Sequence, residues 1–440
     1  MITSSLEKMG VKFVEAGFLD LQGVLRSRIF PAKRFDAIHE DGFGFDGSSV
    51  GFVGIEDSDV VAKPIGNTCK IIPSYGFKTA FSLCEIEKNG KTFEWSGREI
   101  LKDMINKIKD KHNYIFCIGP ELEFFITKDG QLLDEAGYMS SNPMDKSGPF
   151  KKQFMNNLES LHPDFNIHVS HHEVSPSQHE FELKYDKPVE MIDKLVCFKH
   201  ILRNFALEYD NSEITFMPKP FFGQNGSGMH FHMSMWENNI PLFYENKDEI
   251  SDLAKQFIAG ILSHSKEIAL TSNNTVNSYK RLVLGHEAPV FLVWGYGNRS
   301  ASIRIPKYQA IRPERARIEI RTPDALNNHY LTIAAIIHAG MKGIEESMDA
   351  FEPFQKNTYK LKENECEELG IEILPRNLQE AIDHAKKGTI LKELLGKRFD
   401  AFIERKQKEW EDYCRYLDNL GIYHETNEVT DWERKRYFSM

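Results

Sequence analysis

Five short segments between residues 116 and 321 alternate ionisable and apolar side chains at a spacing of two. Glu121 and Glu123 alternate with Leu122 and Phe124, and Glu180, Glu182 and Lys184 with Phe181, Leu183 and Tyr185. His230, His232 and Ser234 alternate with Phe231, Met233 and Met235. Ser302 and Arg304 alternate with Ile303 and Ile305, and Arg317, Glu319 and Arg321 with Ile318 and Ile320. In a strand, residues i and i+2 share a face about 6.5–7 Å apart. Each segment would therefore turn an apolar face to a core and an ionisable face away from it. One such segment alone reads as a solvated strand of an antiparallel sheet. Together they carry Glu, His and Arg with scarcely any Lys, which a merely solvated face does not require. Carboxylates sharing a face repel unless a cation lies between them. Oxygen-rich donor sets with an occasional His favour Mg²⁺ or Mn²⁺ over zinc. The arginines suggest an anionic ligand, phosphate or carboxylate. Divalent metal plus Arg suits phosphoryl transfer.

A nucleotide would not be held by a familiar loop. GQNGSGMH (223–230) lacks the Lys-Ser/Thr of a P-loop and the strand–GxGxxG–helix setting of a dinucleotide fold. It reads either as a tight turn or as backbone that approaches a ligand closely. His171 and His172 are adjacent, so a strand would point them to opposite faces, and at most one could face a ligand near Glu173. Both read as supporting or core residues.

These strands need a scaffold. At 440 residues, with about 150 per domain as a prior, two to three domains are expected. VKFVEAGFLDL (11–21), KIIPSY and AFSLCEI are strand-like, GFGFDGSSVGFVG (42–54) reads as a loop, and EKNGKTFEWSG (87–97) as a linker. A helix begins near Arg98, so a β-rich domain over 1–95 precedes a larger one over 96–440. Leu378, Ala381, Ile382 and Ala385 share a helical face before Gly388, a candidate stop. Phe399, Phe402, Ile403, Trp410, Tyr413 and Leu417 form a second stripe, whose interleaved Glu404, Arg405 and Lys406 read as a solvated face. The net charge of −10 argues against sequence-independent nucleic-acid binding. No apolar run approaches the about 18 residues of a membrane span. The start, MITSSLEKMGVKF, lacks a signal-peptide core, so a cytoplasmic protein with six reduced cysteines is expected.

The motifs resemble those of type I glutamine synthetases, in the shorter branch of that family. TFMPKPFFGQNGSGMHFHMS (215–234) is similar to the ATP- and glutamate-binding signature, and NSYKRLVLGHEAP (277–289) to the flap over the glutamate site. FDGSSVGF (45–52), GPELEFF (119–125), HHEVSPSQHEFEL (171–183), NRSASIRIP (298–306) and RIEIRTPD (317–324) follow the remaining family motifs in order, and DWERKRYFSM resembles the family's tail.

The resemblance implies an α+β fold, with an N-terminal β-grasp domain and a catalytic domain built on a curved antiparallel sheet with surrounding helices. It implies a homo-dodecamer of two hexameric rings with active sites between neighbouring subunits. One Mg²⁺ or Mn²⁺ would take Glu123, Glu173 and Glu180, and a second Glu121, His230 and Glu319. Glutamate would be held by Arg281, Arg304 and Arg321, with Asn225 and Gly226 near its α-carbon end. Arg299 and Arg304 would grip the transferring phosphate, and Tyr185, His232, Ser234 and Arg317 would bind ATP. Asp46, Ser49 and Tyr138 match the ammonium pocket, Asp46 as candidate base and Glu287 as the flap carboxylate. The implied reaction is ATP-dependent ligation of ammonium to L-glutamate through γ-glutamyl phosphate.

Some positions depart from the family pattern. The flap reads LGHEAP rather than PGYEAP, Met139 follows Tyr138 where Phe is usual, and His168 and Gly54 replace a usual acid and Arg. A looser or titratable flap would suit a second reading, a γ-glutamyl ligase for a primary amine or polyamine. A third is a non-catalytic family member. Tyr359 lies near an adenylylated family tyrosine, but its surroundings fit that modification poorly.

Overall fold

The computed structural model describes residues 2–73, 76–246, 248–284, 286–307, 312–361, 363–424 and 426–440, without the side chains of Glu363, Asn364 and Glu367. Met1, Ser74 and Tyr75 of KIIPSY, and Gly285 of the flap segment lie outside the described residues. The chain divides into two compact units. One comprises Met1–Ile100, Phe124–Lys184 and Val189–Thr215, the other Leu101–Glu123, Tyr185–Pro188 and Phe216–Met440.

In the first unit, Phe13–Leu19 lies between antiparallel Leu25–Pro31 and parallel Thr79–Lys88. Thr79–Lys88 also pairs with Asp59–Pro64, Lys70–Ile72 and Lys91–Thr92. Val14 and Ala80 pack against Phe35 and Ile38 of the helix Phe35–Asp41. Two expectations are corrected. GFGFDGSSVGFVG is not all loop, because Phe43–Asp46 pairs with Asp59–Pro64 and buries Phe43. EKNGKTFEWSG is not a linker, because Thr79–Lys88 enters it and returns as Lys91–Thr92. Asn89 and Gly90 make that turn with φ of 53° and 69°, the two positive values a tight Asn-Gly hairpin needs. The unit also holds the hairpin Ile167–His172/Gln178–Leu183 and the helix Gly148–Leu161. Phe154 of that helix meets Phe181, Phe198 and Phe205 at ring distances of 5.3–5.4 Å.

The strand Ile115–Lys128 crosses the division. In the second unit its first part pairs with Met229–Glu237, followed by Ile318–Ile320, Ile303–Ile305 and Trp294–Tyr296. The alternation predicts the buried face correctly: Leu122, Phe231, Met233, Ile303, Ile305, Ile318 and Ile320 are at most 1% exposed. The helices Asp252–Ser272 and His329–Glu345 are N-capped by Ser251 and Asn328. They approach so closely that a Cβ on Gly260 would lie 2.2 Å from the Ala339 carbonyl oxygen. Leu378–Lys387 and Phe399–Leu420 bury the expected stripes, with Trp410 half-buried. Lys406 is a correction. It is 1% exposed, donates to the Asn274 carbonyl at 2.5 Å and pairs with Glu409 at 3.1 Å, while Glu404 and Arg405 remain exposed. None of the six cysteines is in a disulfide among the described residues. Among the described residues no helix is long and apolar enough to cross a membrane.

Candidate cation and anion site

Strand register assembles the chemistry of the second unit. His230 stands opposite Glu121, His232 opposite Glu319, and Arg304 opposite Glu319 on its other side. Glu121 meets His230 Nδ1 at 3.1 Å and His232 Nε2 at 2.6 Å. His232 Nδ1 accepts from Arg317 Nε at 3.1 Å, which assigns the ring proton to Nε2 and its donation to Glu121. Glu123 lies 3.6 Å from His230 Nε2 and accepts from the Gly228 amide at 2.8 Å. Glu319 is fully buried and accepts from Arg321 at 2.5 Å and from Arg304.

Ligand atoms of Glu121, His230 and Glu319 lie within 4.8 Å of one another. Burial is the largest influence on Glu319 and would push its pKa up, but the Arg321 guanidinium overcomes it and holds the carboxyl near 2. Burial likewise opposes ionisation of Glu121, and His232 and His230 hold it well below the usual carboxylate range. Two carboxylates kept ionised beside an imidazole suit a hard divalent cation. Next to them, Arg304 Nε and Arg321 Nε are buried without a hydrogen-bond partner among the described residues. Buried donors of this kind call for an acceptor, and guanidinium geometry favours carboxylate or phosphate.

The Gly-rich loop borders this site. A Cβ on Gly226 would lie 2.4 Å from the Pro218 carbonyl oxygen and 2.8 Å from Arg281 Cγ; one on Gly228 would lie 2.6 Å from an Arg281 guanidinium nitrogen. These glycines thus admit Arg281, which is buried and donates to the carbonyls of Thr322 at 2.9 Å and Arg321 at 3.1 Å. Asn225 donates to Glu287 at 3.4 Å, which places the loop beside the flap. Burial and the Arg281 charge push Lys219 down to about 8. Burial first, and then Lys219, lower the pKa of His286, so that flap residue is biased toward the neutral ring.

The first unit carries its own group. Ligand atoms of His171, Glu173 and Glu180 lie within 4.8 Å of one another, with His171 Nε2 at 2.9 Å from Glu173. His172 points the other way, as adjacent strand residues must. It is fully buried, and its ring nitrogens meet the Glu173 carbonyl at 2.6 Å and Asp134 at 3.0 Å. The exposed Tyr138 ring packs edge-on to His171 at 5.5 Å. Asp46 accepts from the Ser48 hydroxyl at 2.6 Å, the Ser49 hydroxyl at 2.5 Å and the Ser48 amide at 2.9 Å. The Ser48 hydroxyl is the largest cause, and together these hydrogen bonds hold Asp46 near 2.

Four further positions remain. Arg299 and Tyr185 are exposed. Ser234 accepts from the Trp236 indole at 2.9 Å. Tyr359 donates to the Arg299 carbonyl at 3.3 Å. Sequence reasoning missed the buried Lys219, Asn277 and Lys280, and the buried Glu433 joined to the last two. The signal for Glu433 was present: TDWE (430–433) is a Thr-x-x-Glu capping box, and the structure forms it.

Fold and donor set define an α+β protein in which a carboxylate–histidine group, whose chemistry suits a divalent cation, lies beside arginines whose chemistry suits an anion. Residues 10–89 match the model of the glutamine synthetase β-grasp domain and residues 94–437 that of the glutamine synthetase catalytic domain. The chain is 39% identical to a glutamine synthetase of Pyrococcus abyssi over 97% of this chain and 96% of that one. It is 38% identical to a glutamine synthetase of Methanocaldococcus jannaschii over 98% and 96%. Among solved structures it is similar to GmaS without ligand, with a TM-score of 0.84, 27% identity and 99% coverage of both chains. It is also similar to Plasmodium falciparum glutamine synthetase, with a TM-score of 0.81, 25% identity and coverage of 99% and 98%. The chain belongs to the glutamine synthetase family.

Proposed function

We propose that the protein joins ammonium to L-glutamate, using ATP, to give L-glutamine, ADP and phosphate through γ-glutamyl phosphate. The observation that carries this reading is the set of ionised, buried Glu319 and flanking Glu121 and His230 beside the unmatched guanidinium nitrogens of Arg304 and Arg321. It offers a cation site and an anion site next to each other, as phosphoryl transfer to a carboxylate needs. Full-length similarity to named glutamine synthetases supports the same reaction.

Glu121, His230 and Glu319 would hold one Mg²⁺ or Mn²⁺, and the assignment of Glu123, Glu173 and Glu180 to another is part of the proposal. When bound, such cations neutralise phosphate oxygens and ease phosphoryl transfer. A free carboxylate is a poor acyl donor because oxide is a poor leaving group; its acyl phosphate, a mixed anhydride, has phosphate as leaving group instead. Arg281 and Arg321 anchor glutamate, with Asn225 and Gly226 at its α-carbon end. Arg304 and Arg299 take the charge of the moving phosphoryl group. Tyr185, His232, Ser234 and Arg317 hold ATP. Asp46, with Ser49 and Tyr138, receives ammonium. A carboxylate held near 2 is a firm negative charge and a weak base, which weights Asp46 toward holding the cation rather than abstracting its proton. Glu287 in the flap shields the acyl phosphate from water. The same reading carries a cytoplasmic dodecamer of two hexameric rings.

The test is phosphate release from ATP, Mg²⁺ and glutamate, with ammonium compared against a panel of primary amines. Ammonium-stimulated release with glutamine as product is expected. Stimulation by amines alone would replace the reading with a γ-glutamyl-amine ligase.

A further inference from the structure

The helix Asp431–Tyr437 is short, yet its Glu433 is fully buried. One carboxylate oxygen accepts from Asn277 Nδ2 at 2.9 Å. The other accepts from Lys280 Nζ at 2.6 Å, from the Thr430 amide at 2.8 Å and from the Thr430 hydroxyl at 2.8 Å. Lys280 Nζ also donates to the Glu428 carbonyl and lies 5.1 Å from the centre of the Tyr413 ring. Helix capping alone needs none of the long-range partners, which are 153 and 156 residues away.

Both partners lead to the glutamate side of the site. Asn277 pairs with the Lys219 backbone through two hydrogen bonds, accepting from its amide at 2.7 Å and donating to its carbonyl at 3.0 Å. Lys219 opens the segment that runs to Gly228, and its ammonium donates to the Gln224 carbonyl, next to Asn225. Lys280 immediately precedes Arg281 in the short helix Ser278–Arg281. Arg281 in turn packs against Gly226 and Gly228. A single buried carboxylate therefore holds both Asn277, which is bonded to the start of the 219–228 segment, and Lys280, the neighbour of Arg281.

We propose that Glu433 is a positioning residue for the glutamate pocket, fixing the 219–228 loop through Asn277 and Arg281 through Lys280. The inference rests on the reading of Arg281 as a glutamate ligand. Because buried charged hydrogen bonds admit few alternative geometries, replacing the carboxylate by an amide sets donor against donor at Lys280 and Thr430 or at Asn277.

The experiment compares full-length wild type, E433Q, E433D and the milder T430A by steady-state kinetics and by calorimetric titration with glutamate. Melting and oligomer size are read alongside. E433Q is expected to raise the KM and the dissociation constant for glutamate about tenfold, with the KM for ATP changed less than about twofold. E433D, which keeps the charge, is expected to recover part of that loss, and T430A to shift glutamate affinity in the same direction by less. Lower stability with an unchanged glutamate KM and affinity would overturn the proposal, leaving Glu433 a fold anchor only. Should E433Q fail to fold, unchanged glutamate affinity in T430A and E433D overturns it equally. A wild type that binds glutamate but releases no phosphate with any acceptor removes the synthetase reading, while the titration still decides the role of Glu433.

Discussion

Replacing Glu319 by Gln keeps the shape of the side chain and removes its charge from between two guanidinium groups. Glu319 is fully buried and accepts from Arg321 at 2.5 Å and from Arg304. The Arg321 guanidinium holds its pKa well below the usual carboxylate range, against the burial that would raise it. Removing one partner of a buried ion pair costs about 3–5 kcal/mol. E319Q in chelator should therefore unfold in urea with about 3–5 kcal/mol less stability at neutral pH. The sign with pH follows from a lowered pKa. The contribution is present above the unfolded value of about 4.5 and is lost as pH falls toward 2. The difference between wild type and E319Q should therefore be constant at neutral pH and shrink through the acid range. In the activity assay E319Q should lose at least about a hundredfold in kcat/KM, since under the proposed reading it weakens a cation ligand and unbalances the two arginines beside it. Equal stability of the two proteins at neutral pH, or a stability difference that grows as the solution is acidified, would refute the charge argument.

Three other outcomes are expected. Gly226→Ala places a Cβ 2.4 Å from the Pro218 carbonyl oxygen and 2.8 Å from Arg281 Cγ, so it should cost about 1–3 kcal/mol and raise the glutamate KM; wild-type values for both would remove the close-approach account. Asp46→Asn should raise the ammonium KM about tenfold or more by deleting a charge, with the ATP KM unmoved. Because Asp46 is held near 2, its ionisation should leave ammonium affinity level from about pH 5 upward and weaken it only in strong acid. Adding Mg²⁺ or Mn²⁺ to chelated protein should raise its urea stability by about 2.7 kcal/mol at a hundred times the dissociation constant, and the gain should largely vanish in Glu121→Gln.

Alternation makes the buried sheet face legible in the amino-acid sequence, because a spacing of two sends side chains to opposite faces whatever their partners are. It works for Leu122, Phe231 and Ile318, which are fully buried, and it places Glu121, His230 and Glu319 among one another. Local turn chemistry is legible too: Asn89-Gly90 marks a hairpin where the polar composition of the segment suggests a linker. Lys406 shows the limit of reasoning from residue type. Beside Glu404 and Arg405 it resembles a solvated charge, yet a carbonyl 132 residues away and Glu409 in the next turn hold it inside. Helical periodicity gives the angle of a side chain around its own axis, not what lies opposite that angle. Glu433 carries the same lesson to the site. Its capping role is written in four consecutive residues, and its grip on Asn277 and Lys280 is written nowhere locally. A buried carboxylate whose near partners are explained by local sequence and whose far partners are not has more hydrogen bonds than its own helix needs. The surplus is what points beyond the helix, and here it points to the start of the 219–228 segment and to the residue beside Arg281.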